Sequence, residues 1–198
     1  MVTSYESVKQ FCDTNAIIVD ANDLYPSGTV TMSGIKTFSG SKVDDAIRGA
    51  AAVMFAVKAP MSSMFDNIIK SKRDTLPHVE SVIYEDGLGL VGWVAGQRIL
   101  LGNRRLLEAH GIKVPSVEYE KKYTDKSKQA VYLSLGGELV AMFIVTYKGS
   151  SYIAEELRSL EQNGVTILVR TIDSNIIQDR IAEDFGVFYR SVKILSLI

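Results

Sequence analysis

At 198 residues, with 46% hydrophobic and 23% charged residues, the chain has an ordinary globular composition and room for one or two small domains. A formal net charge of −1 gives no basic footprint for nucleic acid or an anionic membrane surface, so no nucleic-acid partner is expected. Cys12 is the only cysteine, which excludes an internal disulfide framework and a cysteine metal cluster, fits a reducing compartment and leaves no disulfide-linked partner expected.

No apolar run is long enough to cross a bilayer, and Met1–Thr14 lacks the apolar centre of a signal peptide, so the segment reads as soluble. Ser4–Phe11 reads as a short helix or an ordered tail. Ala16–Asp20 is an apolar run ending in an acid, followed by the turn formers of ANDLYPSG. Two readings of Asp20 stand: an acid delivered for chemistry at the carboxyl end of a strand, or a cap on the next turn. Thr29–Phe38 alternates as a strand or bulged pair. Ser41 with Asp44 makes a weakened capping box ahead of a helix over Lys42–Val57, whose apolar positions include Val43, Ala46, Ile47, Ala50, Val53 and Met54. Pro60 breaks it, and Met61–Lys70 reads as a second helix with Met64, Ile68 and Ile69 inward.

Val79–Tyr84, Leu90–Ala95 and Arg98–Leu101 read as three short strands, and Arg104–Ile112 as a short helix. Ser116–Gln129 is expected to be a solvated loop or a frayed helix. Val131–Leu135 and Leu139–Val145 flank Gly136-Gly137, the strongest hairpin signal in the chain. Beyond Lys148 the period changes. Ile153–Gln162 and Ile176–Phe185 read as helices, and Val165–Val169 and a run from Val187 as strands. With Ala16–Asp20 they make a parallel sheet interrupted by an antiparallel one. Asp173, after a strand and before a helix, suits metal or phosphate chemistry, or an N-cap.

Gly87–Asn103, GLGLVGWVAGQRILLGN, holds five glycines among β-forming residues. Gly87-x-Gly89-x-x-Gly92 spells a dinucleotide fingerprint, but that motif must open a helix after a parallel strand, and here Gly92 leads into another strand. From spacing alone two readings stand: a ligand-binding loop, or a hairpin whose glycines only shape the sheet. His78 and His110 lack the spacing of a metal pair.

The order of these elements resembles the cytosolic part of P-type cation-transporting ATPases, in the heavy-metal-transporting branch of that haloacid dehalogenase-like superfamily. GLGLVGWVAGQRILLGNRRLLEAHGI is similar to the family's nucleotide-binding-domain signature, and VYLSLGGELVAMFIVTYKGSSYIAEELRSLEQNGVTILVRTIDSN to the return into the phosphorylation domain. The resemblance implies an α/β fold: a partial Rossmannoid parallel-sheet domain, 1–29 and 146–198, with an inserted α+β antiparallel-sheet nucleotide-binding domain, 30–145. It implies Asp20 and Asp173 as catalytic acids, with Asp20 also a magnesium ligand, and Gly87, Gly89, Gly92 and Asn103 around ATP. It further implies a cytoplasmic face and, as partners, ATP and the membrane helices of a larger parent protein.

The departures fall on the catalytic positions. The phosphorylation motif Asp-Lys-Thr-Gly-Thr-Leu-Thr would align with DANDLYP, Asp20–Pro26, where Ala21 stands for the lysine. Ser-Glu-His-Pro would fall on VKAP, Val57–Pro60. Tyr147 stands where an acid is expected after the hairpin, and Thr-Gly-Asp becomes Thr171-Ile172-Asp173. The Gly-Asp-Gly-x-Asn-Asp segment that helps hold magnesium would lie beyond Ile198. Phosphoryl transfer depends on neutralising charge with metal and cations. The expectation is therefore a pseudo-ATPase module with weak or no nucleotide binding and a regulatory or structural role. The alternatives are an active ATPase or phosphatase using Asp20 as nucleophile, and a protein-interaction scaffold.

Overall fold

The computed structural model describes residues 15–70, 73–125 and 127–195, so the helix or tail expected over Ser4–Phe11 lies outside the described residues. The chain enters through β1 (Ala16–Asp20) and turns directly into a four-residue helix, α1 (Ala21–Leu24). A helical turn forms where turn residues are expected because Asp20 caps it, its Oδ1 accepting from the Asn22 amide at 3.0 Å. β2 (Val30–Thr37) follows with a bulge between Met32 and Gly34.

Two helices come next, α2 (Val43–Val57) and α3 (Met61–Ile69), separated at Pro60. The expected capping box is absent: Lys42 occupies the N-cap position of α2 without a side-chain bond, and Asp44 and Asp45 instead favour the first turn through the helix dipole. Val43 and Ile68, expected inward, are exposed near the two ends of the pair.

β3 (Val79–Glu85), β4 (Gly89–Val94) and β5 (Gln97–Gly102) form a meander. It leads into α4 (Arg104–Ala109) and the short α5 (Val117–Lys121), capped by Ser116. β6 (Lys128–Leu135) and β7 (Glu138–Tyr147) make the hairpin expected at Gly136-Gly137. The chain then runs through α6 (Ser151–Gln162), β8 (Thr166–Arg170), α7 (Gln178–Phe185) and β9 (Val192–Leu195). The last strand starts later than the apolar run from Val187 suggests. Val187 closes α7 through its amide to the Ala182 carbonyl, and the Phe188 amide donates to Glu161 at 2.7 Å, which holds both residues out of the sheet.

The antiparallel sheet has the order β2-β7-β6-β5-β4-β3, and the parallel sheet β1-β8-β9. Ala46, Ala50, Val53, Met54 and Phe65 of the α2–α3 pair bury one antiparallel face with Leu90, Ile99, Val131, Leu133 and Phe143. The small alanine face of α2 lets that helix approach closely, and Phe65 meets Phe143 edge-on at 5.6 Å. α4 covers the opposite face through Leu106 and Leu107 against Leu100, Tyr132 and Met142. In the parallel sheet, Ile167, Val169 and Val192 pack with Leu157, Ile181 and Phe185 of α6 and α7, while Ile18 faces out on the other side. Among the described residues no helix is long and apolar enough to cross a membrane.

β2 enters the antiparallel sheet and β7 leaves it. These two strands pair with each other, Val30 opposite Tyr147, and the Lys148 amide donates to the Thr29 carbonyl at 2.9 Å. The two sheets are thus joined through adjacent, hydrogen-bonded crossings.

Candidate functional site

Asp20 ends β1, and parallel pairing sets it opposite Arg170 at the end of β8. Its Oδ2 accepts from Arg170 Nη2 at 2.9 Å and Nε at 3.2 Å. Its Oδ1 accepts from Asn22 twice, from the backbone amide at 3.0 Å and from Nδ2 at 2.8 Å. Both carboxylate oxygens are therefore engaged by the chain itself. Partial burial pushes this carboxyl up, but the hydrogen bonds from Asn22 and Arg170 and the guanidinium charge outweigh it and hold the group below its ordinary value of 3.8. An acid held low stabilises the fold above its unfolded pKa, and that contribution is lost as the pH falls through the folded value. Asp20→Asn is accordingly expected to cost at most ~1 kcal/mol near pH 7 and progressively less on acidification below about pH 4. Urea melts of both proteins across that range check it, and a pH-independent difference would exclude the ion pair as the cause.

Beside this pair lies a cavity of about 330 Å³, lined by Asp20, Arg170 and Thr171 together with Val57, Lys58 and Pro60. The positions expected to carry phosphorylation and adenine recognition thus share one cavity, tied by the Asn22 Nδ2 bond to the Lys58 carbonyl at 3.3 Å. The residues around Asp20 do not fit a magnesium ion, because its partners are a guanidinium and amides. Among the described residues no group of three or more acids, histidines and cysteines is placed to hold a metal.

The glycine stretch divides by position. A Cβ on Gly89 would fall 2.6 Å from Gly102 Cα and from the Leu101 carbonyl oxygen, and one on Gly92 would fall 2.8 Å from the Ser81 carbonyl oxygen. These two glycines allow neighbouring strands to approach. Gly87 differs: it takes a φ of +66° with nothing within 4 Å of a built Cβ. Its amide donates to the Tyr84 hydroxyl at 3.1 Å, and its carbonyl accepts from Asn103 Nδ2 at 2.8 Å. Asn103 also caps α4, its Oδ1 accepting from the Leu106 amide at 3.2 Å. Asn103 thus spends both ends of its amide within the protein.

Gly87 and Asp173 come together. With Tyr84 and Asp86 on one side and Thr171 and Ser174 on the other, they line a cavity of about 260 Å³. Asp20 and Asp173 line different cavities, with Thr171 common to both, and Gly89, Gly92 and Asn103 line neither. The fit to ATP is partial: the Gly87 turn is open, but Asp86 and Asp173 present acids to a phosphate chain.

Asp173 is 1% exposed. Its Oδ2 accepts from the Tyr147 hydroxyl at 2.6 Å and its Oδ1 from the Asn175 amide at 3.0 Å. It does not cap α7, whose N-cap position is Ile177. Burial pushes its carboxyl up, against the opposing pull of Tyr147, Asn175 and Arg180.

Arg170 and Tyr84 are absent from the residues expected from sequence, and Lys58 has no role of its own within the VKAP stretch. Arg170 alone carried a readable signal: once β1 and β8 are set in parallel register, an acid and a base end adjacent strands. Lys58 and Tyr84 reach the cavities only through the packing of the two sheets.

A parallel sheet whose first strand ends in an aspartate, interrupted by an antiparallel sheet with its own helices, makes an α/β unit carrying an inserted α+β unit. No family model matches the chain. It is 26% identical over 188 residues to a copper-exporting P-type ATPase of Legionella pneumophila, covering 94% of this chain and 25% of that protein. It is 20% identical over 191 residues to a silver exporting P-type ATPase of Salmonella typhimurium, covering 94% and 23% respectively. Among solved structures, the catalytic domain of a CPx-ATPase superposes with a TM-score of 0.58 at 13% identity, covering 99% of this chain and 67% of that one. The homologues of this chain are heavy-metal P-type ATPases, and its fold is that of the CPx-ATPase catalytic domain. The chain spans about a quarter of the length of these curated relatives.

Proposed function

We propose that the chain acts as the cytosolic nucleotide-binding and phosphorylation portion of a heavy-metal P-type ATPase-like membrane protein, and that it is a pseudo-ATPase with weak or no nucleotide binding and a regulatory or structural role. The observation that carries this reading is the engagement of both Asp20 oxygens by Asn22 and Arg170. A nucleophile must offer an oxygen lone pair in line with the phosphoryl group, and charge must be neutralised on the group transferred rather than on the attacking carboxylate. Ala21, in the place expected for a lysine, offers no cation, and Arg170 is already paired.

In this reading Asp20 is a structural cap and ion-pair partner. The turn at Gly87 remains the position best suited to meet a ligand, with Gly89 and Gly92 shaping the strands behind it and Asn103 holding its carbonyl. The test is incubation with radiolabelled ATP and magnesium, followed by an acid quench. No hydroxylamine-sensitive adduct is expected. An adduct that disappears in Asp20→Asn would overturn the reading in favour of an active ATPase or phosphatase with Asp20 as nucleophile, an alternative favoured by the position of Asp20 on the wall of a cavity.

A further inference from the structure

The two crossings between the sheets converge on α7. Tyr25, in the link from α1 to β2, donates its hydroxyl to Asp184 Oδ2 at 2.6 Å and packs 5.4 Å from the Phe185 ring. Tyr147, the last residue of β7, donates to Asp173 Oδ2 at 2.6 Å. The two tyrosine rings meet edge-on at 5.6 Å. Arg180 stands between them, its guanidinium 5.1 Å from the Tyr147 ring centroid and its Nη1 3.7 Å from Asp184 Oδ2. Tyr25, Tyr147, Asp173 and Arg180 are buried. Gly149, just past Tyr147, runs so close to α7 that a Cβ would lie 2.7 Å from the Asp184 carbonyl oxygen.

We infer that Tyr25, Tyr147, Asp173, Arg180 and Asp184 form a clasp that fixes the antiparallel sheet at one orientation to the parallel sheet. A hinge works by letting a few residues at element ends absorb a rotation. Here those residues carry short bonds to carboxyl groups, buried at Asp173 and part-buried at Asp184, and swinging either crossing strands an acid or a hydroxyl without a partner. Tyr25 bonds α7 itself, while Tyr147 bonds Asp173 in the link before it and meets Arg180 of α7, so α7 and both crossings move together or not at all. The clasp neither requires nor excludes phosphorylation of Asp20.

The experiment places nitroxide labels on Arg105→Cys and Glu155→Cys, both exposed, in a Cys12→Ser form of the whole 198-residue chain. Electron–electron double resonance then reads the distance distribution, with thermal melting in parallel. The clasp predicts one narrow distance, unchanged by millimolar ATP and magnesium, and at least about twofold broadening in Tyr25→Phe/Tyr147→Phe. A broad distribution without substitution overturns the proposal. So does a double variant that melts earlier yet keeps the narrow distance, because its tyrosines then contribute to stability alone. Should the double variant not fold, Tyr147→Phe alone faces the same two readouts.

Discussion

Gly89→Ala is expected to destabilise the chain by about 3 kcal/mol, with or without ATP. Gly89 takes a φ of +144°, which strains any residue with a Cβ, and that Cβ would press at 2.6 Å on backbone atoms of β5. β5 has no room to retreat: it pairs with β4 on one side and β6 on the other, and Leu100 and Leu101 are buried on opposite faces. Gly96→Ala is the matched control. It also has a positive φ, +73°, but nothing lies within 4 Å of its built Cβ, and about 1 kcal/mol is expected. Urea midpoints of the two variants check the contrast. If Gly89→Ala folds as stably as Gly96→Ala, the strand-packing explanation is wrong.

Asp173→Ala is expected to cost a comparable amount, about 3 kcal/mol, because it leaves the buried Tyr147 hydroxyl and the Asn175 amide without their acceptor. The loss is coupled. In the Asp173→Ala background, Tyr147→Phe removes the stranded hydroxyl and is expected to restore about 1 kcal/mol, whereas in the unaltered chain the same change destabilises. A double-mutant cycle from urea melts reads that sign reversal, and additive effects would show that the 2.6 Å bond contributes nothing. The pH dependence runs opposite to that of Asp20. Burial raises the folded pKa of Asp173, so the proton favours the fold, and this contribution weakens as the pH rises through the raised value.

Element types were largely legible because they follow from local periodicity. The helices at Val43–Val57 and Ser151–Gln162, the Gly136-Gly137 hairpin and the parallel β1–β8 pair all lie close to where spacing and turn residues put them. Illegible were features that depend on a neighbour in space. The residues before Leu24 form a helix because Asp20 turns back to cap them, and Val187–Phe188 stay out of β9 because they close α7 against Glu161. A single sequence has no means of showing which of two adjacent polar groups captures a free amide.

For function, the sequence by itself determined the order of elements, the glycine turn and the two aspartates, since these are matters of residue identity and spacing, while the resemblance alone implies a lysine in the place of Ala21. Only the tertiary structure decided what those residues touch. Gly89 and Gly92 separate strands, Asn103 is consumed by a helix cap and a turn, Asp20 is gripped by Arg170, and Asp173 by Tyr147. The physical reason is range: a backbone preference acts over a few residues, whereas Asp20 meets its arginine across 150 residues and Asp173 its tyrosine across 26. Contacts that distant exist only once β1 has paired with β8 and the two sheets have packed.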